Sequence, residues 1–474
     1  MRSNLERILG IIPPRLRGDA RATFLHKLLV RALIMIGRLE NPALTAFVLR
    51  FGIQRTAIAG RSGRKPRHHL LILSKAMFNE DMEASFGGQE EFVVYRMHRR
   101  LIKAVSHRFI PRHVDDNNYA NLSREDEARK RRYRDYWEAV WRRLSRRIRI
   151  DAVLTGNFAY YAERELGGAL ERIGTPFIAV HKECVRSPGY AEFFRRIYRE
   201  RRGPFTGRRI LCYDEAERRL EIEAGIAPPE RIRVTGMPRL DFVHRRRRVS
   251  PAEQAPRRPR VLFFSFGPKT TLPVMVRKMS RPPYKRYTEP LESTFEHLHW
   301  TTLHRQVHAA MLQLALQAPD IDVVIKTKGV LGEREEAMIK RVMNVARLPE
   351  NLEVVLGGNP HTLLVDCDVV CGFNSTALLE AIAADRPVVV PRFAEAAHET
   401  MRSYLIDYED AAEYAISPDT LVEQLLRHAR ERRLPRAELP DNARRVLRRW
   451  LHNDDGRAGE RVRLAVLQEL GPRA

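Results

Sequence analysis

Ser375, Thr376 and Glu380 have the types and spacing of a diphosphate and ribose site. The apolar run Val369–Cys371 breaks at a small polar turn containing Gly372 and Asn374, and helix-forming residues follow from Ala377 to Ala384. A hydroxyl at a helix start accepts backbone N–H groups that would otherwise lack partners. Those groups carry partial positive charge, which suits a phosphate or diphosphate. Glu380, one turn further in, could bind the two hydroxyls of a ribose. An ordinary capped helix with a glutamate serving its dipole has the same local sequence, so the rest of the chain must supply context. A second set follows the strand-like run Pro176–His181 (PFIAVH), namely His181, Lys182, Glu183 and Arg186. Ligands of open α/β sheets bind beyond the carboxyl ends of strands, and a histidine beside a glutamate there can accept a proton near neutrality. A loop histidine without a role fits that position equally well. Lys326 and Lys328 stand at the exit of a third run, Ile321–Lys326 (IDVVIK), and Asn157 in the turn after Ile150–Leu154. His297, His299, His304 and His308 resemble a metal cluster at first sight, but no carboxylate has the spacing of a zinc-binding helix. They read as helix-surface residues, and no metal site is expected.

The elements that must position these residues are strands alternating with helices. The 474 residues exceed one ordinary core, and 44% hydrophobic content suffices for two. An N-terminal amphipathic helical segment is expected over 1–60, with a packing role favoured over a membrane-surface one. A first α/β domain follows over 61–243, beginning with the strand His69–Ser74. Within it the charged region Glu90–Arg149 reads as helical, with Trp137, Trp141 and Leu144 forming a buried stripe. A basic linker over 244–259 carries arginine runs and no apolar periodicity. A second α/β domain spans 260–430, and a basic helical segment spans 431–474. Four cysteines without zinc-type pairing fit core packing in a reducing compartment. The formal net charge of +25 implies an anionic partner: nucleic acid, anionic lipid or a phosphorylated substrate. Exposed aromatics among the basic residues, which nucleic-acid binding would want, are not indicated. No run of about 18 uncharged apolar residues exists, and the start lacks a signal-peptide core, so the expected location is the cytoplasm.

Four stretches carry a family resemblance: VTGMPRLD (Val234–Asp241), VVIK (Val323–Lys326), GFNSTALLEAIAADRPVVVP (Gly372–Pro391) and NDDGRAGERV (Asn453–Val462). They resemble the GT-B proteins of bacterial surface carbohydrate biosynthesis, a group of capsule-type glycosyltransferases, teichoic-acid glycerophosphotransferases and UDP-N-acetylglucosamine 2-epimerases. The resemblance implies an α/β, GT-B-like fold with two facing Rossmann-like domains and parallel sheets, flanked by N-terminal and C-terminal helices. It implies a metal-independent glycosyltransferase that uses a nucleotide-sugar donor and needs no cofactor. Asn374, Ser375 and Thr376 would meet the donor diphosphate and Glu380 its ribose, with Lys326 and Lys328 offsetting phosphate charge. His181 or Glu183 would be the acceptor-side base, with Asn157, Lys182 and Arg186 beside it. The acceptor would be a glycan or lipid-linked hydroxyl, and the enzyme would sit at an anionic membrane surface on the inner face of the plasma membrane. Where many relatives carry Lys-x-His-Pro, this chain has Lys326-Thr327-Lys328-Gly329. A sugar-nucleotide epimerase, a glycerophosphotransferase of the same fold and a non-catalytic polyanion-binding protein are the competing readings.

Overall fold

A computed structural model describes residues 24–56, 67–120, 122–182, 184–248, 257–271, 299–327, 332–356 and 360–471. Two parallel sheets with helices on their faces organise it, as an α/β protein of two Rossmann-like units requires. The first contains β1 (Ile53–Arg55), β2 (His68–Ser74), β3 (Phe92–His98), β4 (Ala152–Thr155), β5 (Phe177–Val180), β6 (Arg209–Cys212) and β7 (Ile232–Val234), in the order β1-β3-β2-β4-β5-β6-β7. Only β1 runs antiparallel, against β3 at the edge. The second contains β8 (Arg260–Phe264), β9 (Asp322–Thr327), β10 (Leu352–Leu356), β11 (Val369–Gly372), β12 (Val388–Pro391) and β13 (Glu413–Ala415), in the order β10-β9-β8-β11-β12-β13, all parallel. The strands are near-continuous Val, Ile, Leu and Phe runs because helices cover both faces.

Each order reverses once, between β2 and β4 in the first sheet and between β8 and β11 in the second. Such switch points open a crevice beyond the carboxyl ends of the strands. The two crevices face each other. Gly189, after β5, donates its N–H to Ser403 O beyond β12 at 2.8 Å, and the Arg239 guanidinium beyond β7 lies 3.8 Å from Glu380. The last helix, Ala458–Leu470, crosses back from the second unit and packs Val462, Ala465 and Val466 into the apolar layer of the first.

Several sequence expectations are corrected. Phe92–His98, within the region expected to be helical, forms β3, because its bulky β-branched and aromatic residues fit a buried pleated surface better than a helix. The helical N-terminal segment also donates β1. The arginine run at 245–248 closes the helix Leu240–Arg248, in which His244 and Arg247 are buried; of the rest of the expected linker, 249–256 lies outside the described residues and Arg257 pairs with Asp368 at 2.7 Å. Trp137, Trp141 and Leu144 do form a buried stripe, on a helix whose first turn is acidic and capped by Ser123. Among the described residues, no helix is long and apolar enough to cross a membrane.

Candidate functional site

The second switch point is built by two loops. After β8 come Ser265 to Thr271, and after β11 the turn Phe373–Asn374–Ser375. Asn374 adopts φ +45°, a left-handed conformation that asparagine tolerates better than most residues. Its side chain fixes the turn: Oδ1 accepts Ile406 N–H at 2.9 Å, and Nδ2 donates to Tyr404 O at 3.3 Å and to Thr271 Oγ1 at 3.4 Å. Ser375 caps the helix Thr376–Ala383, its Oγ accepting Ala377 N–H at 3.3 Å. The buried Tyr408 hydroxyl accepts Ser375 N–H at 3.1 Å and donates to Ser375 O at 3.0 Å. Ser375 and Thr376 are half-buried at the mouth of the crevice. Lys326, on the neighbouring β9, is buried, and its Nζ donates to Thr327 O at 2.5 Å. Lys328 lies outside the described residues.

The histidines of the helix Thr301–Gln317 are corrected from surface to core. His304 and His308 are buried, their rings 4.3 Å apart, because this face of the helix packs on Phe263 and Phe266. His308 Nε2 lies 3.0 Å from Ser265 Oγ, so it steadies the loop after β8. Burial, reinforced by His304, pushes its pKa down to about 3, and the ring is neutral. His299 is exposed, and His297 lies outside the described residues.

Glu380 occupies the seam between the units. Its Oε2 lies 3.0 Å from His361 Nε2, and its Oε1 3.8 Å from Arg239 Nε. Arg239 continues the chain of charges into the first unit, with Nη1 3.2 Å from Asp81 Oδ1 and 2.7 Å from the Tyr213 hydroxyl, which itself donates to Asp81 Oδ2 at 3.0 Å. Burial works against a charged His361, but the hydrogen bond and charge of Glu380 raise its pKa nonetheless. The expected ribose carboxylate is therefore also a domain-bridging ion. A cavity of about 300 Å³ runs beside it, between Glu80 and Glu83 of the first unit and His361, Thr362 and Arg386 of the second.

The acceptor-side residues converge on a partner that the sequence did not reveal. His181 is fully enclosed, and its Nε2 lies 3.1 Å from Glu217 Oε1. Arg186 donates Nε–H to Glu217 Oε2 at 3.1 Å and Nη2–H to the Tyr198 hydroxyl at 3.0 Å; that hydroxyl donates to Glu217 Oε1 at 2.8 Å. Burial would raise the Glu217 pKa, but Arg186 and His181 hold it below the ordinary carboxylate range. Glu221, one turn on, is buried with no hydrogen bond to either carboxyl oxygen, and burial plus the Glu217 charge drives its pKa far up. His181, Glu217 and Glu221 place ligand atoms within 4.8 Å of one another, the geometry a cation would need. The Arg186 guanidinium already supplies positive charge there. Lys182 is half-buried, with its N–H on Gly156 O at 3.2 Å, and Asn157 Oδ1 accepts Ala159 N–H at 2.8 Å, shaping the turn after β4. Glu183 lies outside the described residues. Thus the structure joins His181 to Arg186, and Asn374 and Ser375 to one crevice, while Glu380 joins the two units. Asp81, Tyr213, Glu217 and His361 went unnoticed; only Arg239 lay within a stretch already singled out.

Asp214 caps the helix that carries Glu217, its Oδ1 accepting Glu217 N–H at 2.9 Å. Burial raises its pKa to about 8. Between about pH 4, where the unfolded carboxyl ionises, and pH 8, folding must take up this proton, and stability falls by about 1.4 kcal/mol per pH unit. Asp214→Asn keeps the cap and removes the titration. Urea midpoints should therefore show the variant gaining on the parent by several kcal/mol from pH 5 to pH 8, on the order of 4, and levelling above pH 8. An unchanging gap would contradict the raised pKa.

The chain matches no protein-family model and no curated protein sequence. Solved structures do align over most of its length. A UDP-GlcNAc 2-epimerase from Neisseria meningitidis, bound to UDP-GlcNAc, is 12% identical with a TM-score of 0.46, covering 84% of this chain and 100% of that one. A UDP-forming α,α-trehalose-phosphate synthase from Burkholderia xenovorans is 11% identical with a TM-score of 0.43, covering 86% of this chain and 99% of that one.

Proposed function

We propose that this protein is a glycosyltransferase of surface polysaccharide or glycolipid biosynthesis, moving a sugar from a nucleotide-activated donor to an acceptor hydroxyl. The reading rests on the switch point between β8 and β11, where the Ser375-capped helix starts, and on Lys326, which β9 brings beside Phe264 of β8. Helix N–H groups and a lysine hold the donor diphosphate and stabilise the charge that develops on it as it leaves. Glu380 holds the ribose, exchanging its contact with Arg239 for the two hydroxyls. The acceptor enters from the first unit. Its oxygen forms a bond to the anomeric carbon while the bond to the donor phosphate breaks, the nucleoside diphosphate departs, and the acceptor proton passes to a base. His181 is enclosed and bonded to Glu217, which suits a role holding the β5 exit in shape, so this reading assigns the base to Glu183.

The test is thermal stabilisation by UDP, CDP, GDP and CMP and their sugar conjugates. A nucleotide at about 100 times its Kd should stabilise the fold by about 2.7 kcal/mol. Glu380→Ala should abolish that shift, and Glu183→Gln should keep it while losing transfer. Failure of every nucleotide, with stabilisation by heparin that salt removes, would overturn the proposal in favour of polyanion binding. Conversion of the donor without any acceptor would instead favour an epimerase.

A further inference from the structure

Among the described residues, the two N-terminal helices carry an apolar surface that no other element covers. Phe24, Leu28, Met35 and Leu39 on the helix Phe24–Leu39, with Leu44, Phe47 and Phe51 on the helix Pro42–Gly52, are 43% to 82% exposed. They make up seven of the thirteen exposed large hydrophobics among the described residues, so this is a concentrated feature and not scatter. At about 100° per residue, the four on the first helix fall within about 60° of one another, opposite buried Leu33 and Gly37. The three on the second also fall within about 60°, opposite buried Thr45, Ala46 and Leu49. Each helix thus has one stripe for the core and another that is exposed among the described residues.

Charge identifies what covers it. Exposed Lys27, Arg31 and Arg38 line one side of the first apolar stripe, about 50–90° from its centre line. Arg50 and Arg55 are exposed on and after the second helix. The sole acid from residue 24 to 56 is Glu40, which Arg108 and Arg132 neutralise at 2.8 and 2.5 Å. A second protein would need a matching apolar face ringed by acids. An anionic bilayer offers both chemistries at once, acyl chains for the stripe and headgroups for the basic ridge.

We propose that the two N-terminal helices dock this protein on an anionic lipid surface, with the apolar stripes in the headgroup boundary and Lys27, Arg31 and Arg38 on the headgroups. The inference does not depend on the nucleotide chemistry. Flotation of the full chain with vesicles of phosphatidylcholine, or of phosphatidylcholine with about a third phosphatidylglycerol, tests it. The parent should bind the anionic vesicles at least about tenfold more tightly than the neutral ones. Replacing Leu28, Met35, Phe47 and Phe51 by serine should reduce binding to both by about tenfold or more. Lys27→Gln with Arg31→Gln and Arg38→Gln should remove the preference for anionic lipid and its salt sensitivity. Unchanged melting temperatures show that both variants fold. Equal binding by parent and variants, no binding by the parent, or a parent dimer that the serine variant dissolves would each overturn the proposal.

Discussion

Glu217→Ala is expected to cost about 3–5 kcal/mol of stability, because it removes the carboxylate paired with a largely buried guanidinium. The Arg186 side chain is 12% exposed, its guanidinium stands 3.8 Å from the Phe194 ring centre, and it pairs with Glu217 at 3.1 Å. The same carboxylate accepts the Tyr198 hydroxyl and the His181 imidazole, so one truncation removes a contact from three groups at once. In a chain of this size, that loss corresponds to a drop in melting temperature of about 3–5 °C. Glu217→Gln, which keeps shape and loses charge, should fall between parent and alanine. The cluster contains its own check. Glu221 sits one turn away with a carboxyl that burial and the Glu217 charge keep protonated. If it ionises when Glu217 is gone, the loss shrinks below about 2 kcal/mol, and the double variant Glu217→Ala, Glu221→Ala restores the full cost. A small loss in both variants would mean that solvent or another group compensates Arg186, and would contradict the expected cost.

Gly236→Ala should be nearly as damaging, by a different route. Gly236 has φ +85°, and a Cβ there would stand 2.4 Å from His452 O. The backbone conformation alone costs an alanine about 1–2 kcal/mol, and the overpacking typically 1–3 more. The contact matters because it belongs to a joint. Met237 N–H donates to Leu451 O at 3.0 Å, and Asn453 Nδ2 donates to Met237 O at 2.8 Å and to Asp241 Oδ1 at 2.7 Å. Asp241 also accepts the N–H groups of Ala458 at 3.1 Å and Gly459 at 2.8 Å, anchoring the start of the last helix. Hydrogen exchange should therefore show Ala458–Leu470 losing protection in the variant before the second sheet does. Uniform loss over the chain would mean that the joint is not a separable unit.

That joint also shows what sequence reading reaches. Val234–Asp241 and Asn453–Val462 were singled out separately by resemblance, yet no local rule relates residues more than 200 positions apart. Their pairing exists only in three dimensions. The alternation of apolar runs and helices was legible because strands covered on both faces need continuous Val, Ile and Leu. The Ser375 cap was legible because capping is local chemistry. Phe92–His98 misled because arginines and histidines around it suggested a solvated helix, while the sheet buries every residue from Phe92 to Val94. His304 and His308 were misplaced for a related reason: the face they occupy is decided by Phe263 and Phe266 on another element. Glu217 and Asp81 gave no signal at all, since a lone carboxylate on a charged helix looks the same whether it faces water or an arginine.

The returning last helix has a consequence for the order of synthesis. Leu70, Ile72, Phe92 and Val94 form one apolar layer with Val462, Ala465 and Val466. About 370 residues separate Phe92 from Val462, which at roughly 5–20 residues per second is about 20–70 s on the ribosome. For that interval this face of the first sheet has Phe78, Met82 and Phe86 of the helix Ala76–Phe86 against it but lacks the last helix. The first unit thus cannot complete itself as it emerges; it is sealed by the final stretch of the described chain, after the second unit has already been made.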